Sequence, residues 1–230
     1  MSTQPPAGAN SAPPPSERVR LRRKRERGSY DRSVIDAILD EALIAYLGIV
    51  DAEGQPLVIP TLHARSGDLV YCHGSTASRT LRALAAGAPA CLTVSVIDGL
   101  VLARSAMHHS ANYRSAMLIG RATVVEDPDE KRTALRAVVE HIVPGRWDDV
   151  RAPTDNELAA TSVLAIPIDE ASAKVRSGGP VDDEEDYALG AWAGVIPLAS
   201  SAGSPEADGR LRPGLEPPPY VTGYRRPGSP

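Results

Sequence analysis

LIAYLGIVDAEGQPLVIPTLHARSGDLVYCH, residues 43–73, is the stretch on which the architecture turns. Three runs rich in Leu, Ile, Val and Tyr (43–50, 56–64 and 69–73) are parted by DAEGQ and RSGD. β-Branched and aromatic residues suit a pleated, half-buried surface, and short Gly/Asp stretches reverse the chain. The segment therefore predicts a three-strand meander. A meander is antiparallel, because parallel neighbours need a long crossover between them.

On the N-terminal side, Val34, Ile35, Ile38, Leu39, Ala42 and Leu43 recur at helical spacing, which predicts a helix over 31–43 with Ser29 as its N-cap. On the other side, STASRTLRALAA predicts a helix over 77–86, stopped by Gly87 and Pro89. ACLTVSVI then reads as strand, and Asp98-Gly99 sits where a two-residue hairpin turn is favoured, with LVLARSA running back. Residues 115–126 are β-rich, and Leu135, Val138, Val139 and Ile142 mark a helix over 128–142. Thr154 and Glu157 form a capping box for a helix over 155–161, and 161–169 and 172–177 complete the strands. Six or seven strands with no βαβ alternation give a mainly β fold with added helices (α+β), a closed antiparallel barrel.

The 230 residues hold one domain, 29–198, between a basic and Pro-rich N-terminal tail (1–28) and a Pro/Gly-rich C-terminal tail (199–230), both expected to be disordered. Phe is absent, so the core is aliphatic. ERVRLRRKRER at 17–27 carries seven cations against two carboxylates, with no aromatic residue among them. It reads as a solvated lead-in, and nucleic acid ranks last among the partners. DDEED at 182–186 reads as a surface loop. Two cysteines make no disulfide framework, and no apolar run reaches the about 20 residues of a membrane span. The cytoplasm is the expected address.

Two segments carry the polar chemistry. HGSTASRTLRAL (73–84) brings His73, Ser75, Ser78, Arg79 and Thr80 to the start of a helix, where free N–H groups and a guanidinium suit a phosphate. A capped surface helix with exposed arginines answers the same residues equally well. DGLVLARSAMHHSANYRS (98–115) adds Arg104, Ser105, Ser110, Asn112, Arg114 and Ser115 on strands expected beside the first cluster. His108 and His109 are adjacent, so they do not converge on a metal. Cys72 and His73 face apart for the same reason, and no nucleophile elbow or P-loop is present.

RGSYDRSVIDAILDEA, GQPLVIPTLHARSGDLVYCHGSTASRTLRAL, DGLVLARSAMHHSANYRSAMLIGRA, EKRTALRAVVEHIVPGRWDDVR and DDEEDYALGAWAGVIPL together resemble the pyridoxamine 5′-phosphate oxidase-like family, in its nitroimidazole-resistance-type branch. The resemblance implies an antiparallel Greek-key split β-barrel that binds FMN, usually as a homodimer with the flavin at the interface. It puts Val58, Ile59, Pro60 and Thr61 along the isoalloxazine ring. His73, Ser75, Ser78, Arg79 and Thr80 fall at the ribityl phosphate, and Ser110, Asn112, Tyr113 and Arg114 close the site from the second subunit. His73 matches a functionally important histidine of that branch. The Arg/His-containing C-terminal segment with which true oxidases grip vitamin B6 has no counterpart here. The expectation is thus a flavin-dependent oxidoreductase acting on a small molecule. The alternatives are a non-catalytic flavin carrier and a deazaflavin- or haem-binding relative.

Overall fold

The computed structural model describes residues 12–226. The chain begins with β1 (Gly28–Ser29) and α1 (Arg32–Glu41), then runs the meander as β2 (Ile44–Val50), β3 (Pro56–Ser66) and β4 (Leu69–Ser75). α2 (Arg79–Ala85) leads to β5 (Pro89–Leu102), β6 (Ser110–Arg121) and β7 (Thr123–Val124). There follow α3 (Pro128–Ile142), α4 (Asp155–Ala160), β8 (Thr161–Pro167), β9 (Ala171–Arg176), β10 (Gly194–Pro197) and α5 (Pro219–Thr222).

The strand order is β1-β9-β6-β5-β2-β3-β4-β8-β7, with β10 added to β5. β7 follows β6 after a single residue, Ala122, so the strand that pairs with β5 at one end pairs with β8 at the other. That closes a barrel of antiparallel neighbours. The split lies in β3. Residues 56–62 of β3 pair with β2, while 63–66 turn to β4. On β4, His73, Gly74 and Ser75 pair with β8 and leave β3 behind.

Alternation decides what fills the barrel. Ala45, Leu47 and Ile49 of β2, Leu92 and Val94 of β5, and Leu118 of β6 point inward, where Ile35, Ile38 and Leu39 of α1 plug the interior. Outside, α3 covers β4 and β8 by packing Ala134 and Leu135 on Tyr71, Val163 and Ala165. Among the described residues, the outer face of β3, β2 and β5 has no such cover. Ile44, Tyr46, Val58 and Ile97 stand there, 40 to 64% exposed.

Three expectations are corrected. Asp98-Gly99 makes no hairpin: β5 runs straight through, with a bulge between Ile97 and Gly99. Gly99 is needed for close approach, since a Cβ there would lie 3.0 Å from the Ile196 carbonyl oxygen of β10. The hairpin turn falls instead at 103–109, between β5 and β6. Asp31, not Ser29, occupies the α1 cap position, and the Ser29 hydroxyl accepts a bond from the Asp31 amide. DDEED is more than a surface loop, because Asp182 is buried.

Contacts also run past the bounds 29 and 198. Val19 is buried, Arg18 pairs with Glu170, and the Leu21 amide donates to the Tyr30 hydroxyl. The Tyr224 hydroxyl donates to the Ile142 carbonyl, and Arg226 to that of Glu41. The remaining tail positions, 1–11 and 227–230, lie outside the described residues.

Candidate functional site

Where β3 and β4 part, each presents an edge without a strand partner among the described residues, and the groove between them gathers the first cluster. Val58 and Pro60 are exposed on the outer face, while Ile59 packs inward against the core and Thr61 sits at the divergence. Across the groove, His73 is half-buried and its Nδ1 has no hydrogen-bond partner. Burial holds its imidazolium form below the usual histidine range.

The hydroxyls expected to meet a phosphate are partly used locally. Ser75 Oγ accepts from the Ala77 amide and Ser78 Oγ from that of Leu81, which is capping chemistry. Thr80 is buried. Arg79 and Arg82 differ: both are exposed, and neither has an acidic partner among the described residues.

The second cluster does not lie beside the first within one chain. β6 is three strands from β3, about 14 Å at ~4.8 Å per strand. Arg114 is committed elsewhere, with bidentate bonds to Glu41 of α1 and to Asp98 at the bulge. Its bonds to Asp98 and Glu41 raise its pKa further, and we leave it out of the cofactor site. Asn112 is buried, donating to the Gly178 carbonyl and accepting from Arg176. Ser110 and Tyr113 are half-buried on the same strand. Arg104 and the Ser105 amide serve the buried Asp182, and Arg104 stacks 4.9 Å from the Tyr187 ring. Burial opposes ionisation of Asp182, and the Arg104 bonds outweigh it, so the carboxyl lies below its usual range.

Sequence reasoning missed two groupings. His108, Asp182 and Asp186 bring their ligand atoms within 4.8 Å of one another, although Arg104 already neutralises Asp182. Arg176, which reads as an ordinary strand-end cation, is buried among neutral acceptors. The first has no local signal, because Arg104 and Asp182 stand 78 residues apart, and the second depends on Asn112, 64 residues before Arg176, together with the adjoining Gly178 and Gly179 carbonyls. Cys72 is buried and its thiol is pushed up to about 12, which removes it as a nucleophile at neutral pH.

The chain belongs to the pyridoxamine 5′-phosphate oxidase family, whose profile matches residues 31–175. Among solved structures, it is similar to the flavocytochrome Anf3 from Azotobacter vinelandii, with 43% identity and a TM-score of 0.87 over 93% of this chain and 99% of that one. It is also similar to an FAD- and haem-binding protein from Mycobacterium smegmatis, with 42% identity and a TM-score of 0.83 over 87% of this chain and 98% of that one. A nitroimidazole antibiotic resistance protein from Bacteroides thetaiotaomicron, so described provisionally, gives 28% identity and a TM-score of 0.55 over 64% of this chain and 86% of that one. No functionally curated protein matches the chain. No helix of the described residues is long and apolar enough to cross a membrane.

Proposed function

We propose that this chain is a redox protein that binds a flavin, FAD in preference to FMN, in the β3/β4 groove, and carries a haem as a second redox group. The observation that supports it most is the 43% identity to a flavocytochrome along nearly the whole of both chains. The likeness to an FAD- and haem-binding protein points the same way.

The residues fit both groups. For the flavin, unpaired N–H and C=O groups line the diverging edges of β3 and β4, the exposed Val58 and Pro60 offer an apolar wall, and Arg79 and Arg82 are free for phosphate oxygens. For the haem, elimination among five histidines leaves three. His63 and His141 spend their Nε2 on the Leu39 and Ala42 carbonyls at the end of α1. Of His73, His108 and His109, His109 sets its Nδ1 3.0 Å from the Ser105 carbonyl oxygen, leaving an exposed Nε2 as the basic nitrogen that iron takes. Bound there, the cofactors supply hydride and single-electron transfer to a small acceptor. The chain's own part is to hold the ring edge and exclude water.

The uncovered outer face of β3, β2 and β5 supports a homodimer. A second copy seated on that face brings its own β6 residues toward the groove, so that Ser110 and Tyr113 complete the partner's site.

The test is an absorption spectrum of the full chain as purified, followed by chromatography of the released flavin. Flavin bands with a Soret band, and FAD in the extract, are expected. A colourless protein that takes up neither flavin nor haemin would end the proposal.

A further inference from the structure

Arg176 ends β9 with only 8% of its surface exposed. Nη1 donates to Asn112 Oδ1 and, at 3.3 Å, to the Gly178 carbonyl, and Nη2 donates to the Gly179 carbonyl at 3.0 Å. Gly178 holds φ +98, a conformation side chains resist, and this curls both carbonyls back over the guanidinium. Every acceptor is neutral. Amide and carbonyl oxygens accept from Nη1 and Nη2 and leave the charge uncompensated, and burying such a charge is unfavourable.

The neighbours add to the positive charge. Arg27 stands near enough that burial first, and its charge second, hold Arg176 below the usual arginine range. Lys174 shares a face with Arg176 two residues earlier, opposite Gly28 of β1. None of the three cations has a carboxylate partner among the described residues. A surface that ties down a loop gains nothing by gathering like charges around a buried one.

We propose that Arg176, Arg27 and Lys174 form an oxyanion site that takes an acidic group of a bound cofactor. This rests on the flavin and haem reading for the source of the anion. β9 is four strands from β3, about 19 Å along the sheet, so the group is not the phosphate nearest a ring bound in the same chain's groove. Two sources share the chemistry: the diphosphate of FAD reaching over from a partner subunit, and the propionates of haem.

The test uses the full chain and its Arg27→Gln and Arg176→Gln variants. Inorganic pyrophosphate is the first probe, read as thermal stabilisation beyond chloride of equal ionic strength. Cofactor affinities are then compared in pairs, FAD against FMN and haemin against its dimethyl ester. Wild type is expected to be stabilised by pyrophosphate, and both variants to lose that effect. Each variant is expected to weaken one of FAD or haemin by about ten- to a hundredfold, the loss of one charge-assisted contact. A loss confined to FAD names the diphosphate, and a loss confined to haemin but not its ester names the propionates. If wild type takes up no cofactor, the functional reading fails and the pyrophosphate arm alone decides the site. Should Arg176→Gln fail to fold, Arg27→Gln decides. An Arg27→Gln protein matching wild type in every arm would overturn the proposal.

Discussion

Acid should destabilise this protein through one ring. His63 is 0% exposed, and its Nε2–H donates to the Leu39 carbonyl, one of the unpaired acceptors at the end of α1. Nδ1 is therefore a bare lone pair, buried with no partner. A proton added there finds no acceptor, and the ring that takes it has its centroid 5.0 Å from that of His141. Burial first, and the His141 charge second, lower the His63 pKa from 6.5 to about 4. The unfolded chain thus binds the proton at a higher pH than the folded one. Stability is complete above pH 6.5, falls as pH drops through that value, and stops falling near pH 4. By linkage the loss is about 2 kcal/mol at pH 5 and roughly 3 kcal/mol at its limit. Urea unfolding at several values between pH 7.5 and 5 measures it, with His63→Gln alongside. Glutamine keeps a donor for Leu39 and cannot titrate, so the variant starts less stable but should lose about 2 kcal/mol less across the same range. Equal pH slopes in the two proteins would refute the reasoning.

Arg114→Met strands Glu41 and Asp98 beside each other. Allowing for their partial exposure, it should destabilise by about 2 to 3 kcal/mol in urea while leaving flavin uptake per folded molecule unchanged. Arg79→Ala should do the reverse, weakening flavin about tenfold or more with no change in melting temperature, because its guanidinium is exposed and unpaired. Gly99→Ala places a Cβ 3.0 Å from the Ile196 oxygen and 3.1 Å from Val195, so β10 must shift at a loss of about 1 to 3 kcal/mol by thermal melting. In the folded protein at pH 8, iodoacetamide should label the half-exposed Cys91 and spare the buried Cys72, a result reversed only if β4 opens.

What could be read from the sequence, and what could not, divides by the range of the interaction. The meander, the capped α2 and the Thr154–Glu157 box depend on residues a few positions apart, and each forms where the pattern places it. Asp98-Gly99 carries the same local turn signal and becomes a bulge, because β10, nearly a hundred positions later, pairs with β5 across it. The cationic residues follow the same rule. Arg79 and Arg114 look alike as candidates for a phosphate, both set among serines in a chain with other arginines nearby. Long-range packing separates them. α1 ends with Glu41 against β6 and takes Arg114 into a structural clamp, while no acidic residue reaches Arg79 among the described residues. Arg176 shows the opposite outcome, since the fold buries it and then supplies only carbonyls. A cation satisfied by carboxylates has its role within the fold, whereas one satisfied only by neutral oxygens still lacks a counter-charge. That contrast, with the exposure of Arg79 and the deep burial of Arg176, is why we propose the groove at Arg79 and the end of β9 as places for an anionic group.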